Sequence, residues 1–336
     1  MRRLRRLLLK ILELANDYSF TRFQNELVHN LYDFLGKGYN LDENEVDLVN
    51  KLVKATNGKT FKELSFYVTM LHGPRSYVNF YYLDRHVTKE IGDMAVISLV
   101  TYKDERLLQR ICIIQNKKAS GKNWGVDLEQ LFLLKNFPPF SGNKGIFSGY
   151  KDLTFKNYSG CLGAFGFLAE PGEILFVAAP LVWDFLRGKK NLKMDDISMA
   201  SDTRHSEGAI WGFPFLPLSF KFHPKDWIFF IEEVFERYGY PYGLLYGQAG
   251  QGYLGNTRFC RDLYEFTRVW TQLNIGEITC LRNIVLNPTA DAFANFLIRS
   301  SGYRKFPHFL GDNIFGERKF EAQMAIFIMH LNLGEE

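Results

Sequence analysis

Four polar side chains stand at the ends of two apolar runs, where they could act together. The first run, Met94 to Tyr102, is preceded by Glu90 and Asp93. The second, Leu107 to Ile114, is followed by Gln115 and Lys117, and a charged turn at Lys103 to Arg106 joins the two. In an antiparallel hairpin the start of one strand lies beside the end of the next, so a carboxylate, an amide oxygen and an ammonium converge at one end. Gln115 and Lys117, two apart, face one side of their strand while Asn116 faces the other. Such a group suits a divalent cation and a phosphate, since magnesium takes oxygen ligands and needs only one or two carboxylates beside its waters. Hydrolysis of a phosphodiester requires an activated water and a neutralised phosphoryl oxygen. On this reading Asp93 is the first ligand and Gln115 adds its neutral carbonyl oxygen. Lys117 orients the water or steadies charge on the phosphate. Glu90 is a further candidate ligand. It lies three residues before Asp93, so a regular strand would point it to the other face unless a bulge at Gly92 brings it round.

The arrangement resembles the PD-(D/E)xK, or restriction-endonuclease-like, nuclease superfamily. The residues that carry the resemblance are Asp93, then Gln115-Asn116-Lys117, then Gln130 on the following helix. Gln115 stands where an Asp or Glu is usual, and this Q-x-K form is similar to the Mrr-type branch. Gln130-Leu-Phe-Leu-Leu134 is similar to the Q-x-x-x-Y helix of RecB-like nucleases, with Leu134 in the tyrosine position. The resemblance implies an α/β fold with an αβββαβ core, a Mg2+ or Mn2+ cofactor and a nucleic acid, DNA foremost, as substrate. It also implies that Glu26, in the helix FQNELVHNLYDFL, is the carboxylate carried on the family's first helix, with Glu63 a weaker choice. The catalytic set is then Asp93, Gln115, Lys117 and Glu26. Lys118, Lys122, Gln130 and Lys135 would face the nucleic acid. The implied activity is that of an endonuclease in restriction, repair or phage defence. A second reading stays open: a non-catalytic module that keeps the fold and grips nucleic acid or another protein, which Gln115 and Leu134 both favour.

The elements that must position these residues can be read from local pattern. Helices are expected over 2–16, 20–35, from Asp42 as N-cap through Thr56, and over 61–71. Strands are expected near 77–82, 88–102 and 107–116, followed by a helix opened by Asp127 and stopped by Pro138-Pro139. A long loop rich in Gly, Ser and Asn follows, then strands at 162–169 and 174–179 around Pro171-Gly172. The remainder reads as helices near 224–238, 257–273, 289–300 and 317–332, with a strand over 278–286. This divides the chain into an N-terminal helical segment, 1–75, that packs on the core, a nuclease-like α/β core, 76–184, and a mixed, largely helical C-terminal region, 185–336.

Composition sets the bounds. At 336 residues, 46% hydrophobic and 23% charged, the chain has the make-up of an ordinary globular protein with room for a large core. A net charge of +4 does not by itself mark a nucleic-acid binder. The clustering of Lys117, Lys118, Lys122, Lys135 and Lys144 around the hairpin says more. Aromatic residues interleaved with Lys135 and Lys144 would suit stacked bases, although core packing explains them too. Four cysteines without CxxC spacing argue against zinc ribbons and disulfides and fit a reducing, cytoplasmic compartment. His72, His86 and His205 lack metal-ligand spacing. The N-terminal stretch reads as a basic amphipathic helix packed on the core or a partner, and no apolar run reaches the ~18 residues of a membrane span. Gly250-Gln-Gly252-Tyr-Leu-Gly255 matches GxGxxG, but the acid expected about 20 residues on would be Glu277, which precedes its strand rather than ending it. A flexible glycine loop is the better explanation.

Overall fold

The computed structural model describes residues 17–36, 44–71, 75–103, 105–119, 123–157, 160–169, 173–186, 188–189, 191–193, 259–281, 283–303 and 323–334. The helices expected over 2–16 and 224–238, and the Gly250–Gly255 loop, lie outside these residues. In chain order come α1 (Tyr18–Gly36), α2 (Glu45–Thr56), β1 (Thr60–Phe61), β2 (Leu64–Leu71), β3 (Tyr77–Tyr82), β4 (Arg85–Glu90), β5 (Met94–Tyr102), β6 (Glu105–Lys118) and β7 (Asn123–Gly125). Then follow α3 (Leu128–Asn136), β8 (Ser141–Gly142), β9 (Gly163–Ala169), β10 (Glu173–Ala178), α4 (Ala179–Leu186), β11 (Asn191–Lys193) and β12 (Phe259–Cys260). The last elements are α5 (Leu263–Thr271), β13 (Glu277–Leu281), β14 (Ile284–Val285), α6 (Pro288–Ser300) and β15 (Met324–Asn332).

The fold is mixed α/β. Its main sheet runs β1-β2-β15-β5-β6-β9-β10-β12, with β13 and β14 joining along β6. β5 and β6 are antiparallel, while β15 runs parallel to β5 and β9 parallel to β6. The β6-to-β9 connection contains α3, as a parallel crossover requires. β6 is long enough to be shared on one edge: its first half pairs with β13 and its second half with β9. A smaller sheet, β4-β3-β8, projects beside α3.

Apolar side chains cover both faces of the main sheet, giving two cores. One holds Ile97, Ile111, Ile113, Phe165 and Phe167 under α3, α4 and α6. The other holds Val96, Cys112, Ile114 and Phe327 under α1, α2 and α5. A strand buried on both faces reads as a continuous apolar run rather than an alternating one. The four cysteines are all buried and free.

Several expectations hold: β3, β6, α3 with Asp127 as its N-cap, β9, β10 and α6. Others are corrected. Residues 64–71 form a strand, not a helix: Leu64, Phe66 and Val68 alternate inward with period two, and the strand pairs along its length with β15. Residues 324–332 are a central strand rather than a helix end, because a short continuous apolar run carries no period to separate the two states. The strand expected over 88–102 is two strands in different sheets, broken at residues 91–93. The N-cap of α2 is Asn44, which forms a capping box with Asp47. The main sheet draws strands from the N-terminal, middle and C-terminal thirds alike.

A buried polar cluster ties α6 to the start of β6. Arg106 makes a two-pronged ion pair with Asp291, both contacts at 3.0 Å. Gln109 donates to Asp291 and accepts from Arg106, while Thr279 and Asn295 donate to Asp291. Removing one partner of such a pair strands the other charge in a dry interior. Asp291→Ala is therefore expected to lower stability by about 3–5 kcal/mol in urea denaturation.

Candidate functional site

The turn out of β4 delivers the site. β4 ends at Glu90, the chain breaks strand geometry for three residues, and β5 begins at Met94 opposite Ile114. Gly92 sits in this break against β6, where a Cβ would lie 2.8 Å from the Ile113 side chain and 3.1 Å from the Ile114 carbonyl oxygen. No bulge is needed to turn Glu90: it arrives from the smaller sheet, so its direction is independent of the pleat of β5. The Asp93 N–H donates to the Ile114 carbonyl at 3.0 Å, which places its carboxyl beside Gln115 and Asn116.

Asp93 Oδ2 accepts two hydrogen bonds, from the Asn116 N–H at 2.7 Å and from Gln115 Nε2 at 2.6 Å. The Gln115 carbonyl oxygen in turn accepts from Gln130 Nε2, which also donates to the Glu90 carbonyl at 3.2 Å. A relay of two buried amides thus runs from α3 through β6 to Asp93. Gln130 is aimed by the cap of its helix: Asp127 accepts from the Gln130 N–H at 3.0 Å, and the Lys89 ammonium lies 2.6 Å from Asp127 and 2.8 Å from Glu129. Asn116 faces the opposite side of the sheet, as its position between Gln115 and Lys117 requires. It fills the space over Gly166, whose Cβ, if present, would lie 2.4 Å from Asn116 Oδ1.

The charges converge on the same end. Burial pushes Asp93 up to about 6, with Glu45 adding to the rise, while the Asn116 N–H, Lys117 and Gln115 oppose it. Burial also pushes Glu90 up to about 7, reinforced by Asp93 and Glu45 and opposed by Arg75 and Lys117. Arg75 Nη1 lies 3.6 Å from Glu90. Glu45, at the start of α2, accepts the Lys118 backbone N–H at 3.1 Å and so reaches the site from the opposite face of the sheet.

The sequence candidates are placed as follows. Asp93, Glu90, Gln115, Lys117 and Gln130 come together at one end of the β5–β6 hairpin. Glu26 lies on the exposed face of α1, paired with Arg22 at 3.0 Å. Glu63 is at the far end of the sheet, its carbonyl accepting from the Asn332 N–H. Lys118 joins the site through its backbone. Lys135 stacks on the Trp183 ring at 4.4 Å, bridging α3 and α4. Lys122, His72 and His205 lie outside the described residues. Glu45 is the residue that the sequence reading passed over. Its signal was the acidic first turn of α2, but nothing local says that this turn lies at the hairpin end.

Compared with protein-family models, with curated proteins and with solved structures, the chain matches none. Functional inference therefore rests on the geometry. Among the described residues no group of three or more His, Cys, Asp or Glu side chains forms a ready-made metal cage. Nor is any helix among them long and apolar enough to cross a membrane.

The crowding of carboxylates has a consequence for stability. Asp93 and Glu90 hold protons in the folded protein at pH values where the unfolded chain, with ordinary carboxyls near 4, has lost them. The folded state then binds more protons than the unfolded one, so stability falls as pH rises. Metal-free protein is expected to lose melting temperature from about pH 4 to about pH 7. Asp93→Asn should flatten that profile and melt higher than wild type at pH 8, a difference that calorimetry in chelator would read.

Proposed function

We propose that this protein is a metal-dependent nuclease acting on DNA, with a restriction-endonuclease-like core and a Q-x-K site of Mrr type. The observation that carries the reading is the gathering of Asp93, Glu90, Glu45 and Lys117 at one end of a hairpin, with Asp93 and Glu90 held well above their ordinary range by burial and by neighbouring carboxylates. The donor set fits a hard divalent cation: oxygen ligands, surplus negative charge, and an adjacent ammonium for a phosphate. Asp93 through Oδ1 would hold Mg2+ or Mn2+ with Glu90 beside it, and Glu45 would add negative charge nearby. When bound, the ion would supply charge neutralisation at the phosphate and a more acidic water. Lys117, on the same face of β6 as Gln115, would orient that water and steady the phosphate. Gln115 donates to Asp93 and so braces the ligand rather than offering its own carbonyl oxygen. Gln130 holds that brace in place.

The chain order of hairpin, α3 and parallel β9 supports the αβββαβ reading. One departure is that the strand beside β5 is β15, from the C-terminal region and parallel to it. A second reading, a binding module on a degenerate nuclease fold, is favoured by the same Gln115 contact. A neutral amide where a carboxylate is usual leaves the site one charge poorer. Retention of DNA affinity without cutting would select it.

Nicking of supercoiled plasmid with Mg2+ or Mn2+ separates the two. Asp93→Ala and Lys117→Ala are each expected to cut at least about 100-fold more slowly than wild type. Glu45→Gln should lose activity with them, while Glu26→Gln should cut as wild type does. A folded wild type that binds DNA but never cuts it would replace the nuclease with the binding module.

A further inference from the structure

The hairpin formed by β3 and β4 carries more on its outer face than the active-site reading uses. Its inner face is apolar and fixed. Val78 and Phe80 are buried, Phe80 stacks on Phe132 of α3 at 6.3 Å, and Tyr82 meets the same ring edge-on at 5.1 Å. Lys89 clamps the end of β4 to the first turn of α3. The hairpin is therefore a rigid arm anchored to the helix that supplies Gln130.

The outer face presents three cross-strand pairs: Tyr77 with Glu90, Asn79 with Thr88, and Tyr81 with His86. The first pair is part of the acidic site. Thr88 Oγ1 donates to Asn79 Oδ1 at 2.7 Å, and Asn143 donates to the same oxygen, giving a polar middle step. The last step is aromatic, with the Tyr81 and His86 rings edge to face at 5.6 Å and Tyr81 68% exposed.

The tip is the most informative part. Leu83 and Asp84 both have left-handed backbone, φ 47° and 60°, so the turn has the conformation that ordinarily takes Asn-Gly. A leucine there costs backbone energy, and its side chain is 73% exposed, which adds an unfavourable apolar contact with water. A strained residue that also exposes its apolar side chain points to a contact made elsewhere. Arg75, 3.6 Å from Glu90, and Lys144 flank the Tyr77 end of the arm, while Asp84 stands at the tip and Arg85, paired with Tyr82, belongs to the inner side. Lys144 is held to Tyr77 by paired backbone hydrogen bonds.

We propose that this arm lies in the major groove of duplex DNA, with its outer face toward the base edges. The proposal rests on the nuclease reading of the adjoining carboxylates. Beyond Asn79, the last residue paired with β8, the arm is a two-stranded ribbon, which fits that groove. At about 3.3 Å per residue, Tyr81 stands about 13 Å along the strand from Tyr77 at the site. At 3.4 Å per base pair this is about four pairs from the scissile phosphate, with Leu83 about one to two pairs beyond. Asn79 and Thr88 then face base-edge donors and acceptors, and Tyr81 and Leu83 make apolar contact with groups such as the thymine methyl.

The test uses the full chain. Tyr81→Ala and Leu83→Asn are compared with wild type for duplex affinity by fluorescence anisotropy in chelator, and for nicking in Mg2+. Asn suits left-handed backbone, so Leu83→Asn removes the apolar reach without disturbing the turn, which a melting temperature no lower than that of wild type would verify. Each variant is expected to bind duplex about tenfold more weakly and to raise KM, with kcat kept. Because all four native cysteines are buried, the thiolate of Leu83→Cys should exchange with a mixed disulfide carried on a base about four to six pairs from the mapped nick, releasing its small thiol, and not with one on the far side of it. Unchanged affinity in both variants of a wild type that cuts would overturn the arm and leave the nuclease standing. A change confined to oligomeric state would overturn it as well. A wild type that neither binds nor cuts DNA would overturn both readings.

Discussion

The pairing of β5 with β6 is the constraint on which the rest depends. Both strands are apolar on both faces, so burial alone would not choose between registers one residue apart. The polar residues make the choice. At one end of β6, Arg106 and Gln109 must meet Asp291 on α6. At the other, Gln115 must meet Asp93 and Gln130. A one-residue slip would turn both ends to the wrong face and leave a buried arginine and two buried amides without partners. Each such loss costs more than the hydrogen bond it breaks, because the group has already been removed from water.

The same logic explains what Gln115 does. A glutamate in its place would add a third or fourth negative charge to a part-buried cluster that already holds Asp93 and Glu90 above their ordinary range. The neutral amide adds none. It donates to Asp93 and accepts from Gln130, so the Asp93 carboxylate is held in place. Glu45, arriving across the sheet from α2, adds its negative charge to the same end and raises both carboxyls further.

Helix α3 connects the site to the surface around it. Its first turn holds Lys89, its third residue is Gln130, and Phe132 seats the β3–β4 hairpin. Its packing against the start of β9 is close enough that a Cβ on Gly163 would lie 2.2 Å from the Leu134 carbonyl oxygen. Leu134, at the position of a tyrosine in the helix it resembles, is buried in the core and has no polar part in the site.

The sequence by itself determined the hairpin, the helix after it with its Asp127 cap, the strands on either side of residues 170–172, the helix from Pro288, and the convergence of Asp93, Gln115 and Lys117 at the hairpin end. These are short-range features: a period, a cap or a turn is written within about a dozen residues. Tertiary structure alone decided the rest. Residues 324–332 form a strand because they fill a slot between β2 and β5, and a continuous apolar run carries no period to say so. Glu45 rather than Glu26 joins the site because α2 begins beside Lys118, while Glu26 lies on the exposed face of α1. That neighbourhood is set by the order of strands in a sheet assembled from distant parts of the chain, and no local pattern encodes it.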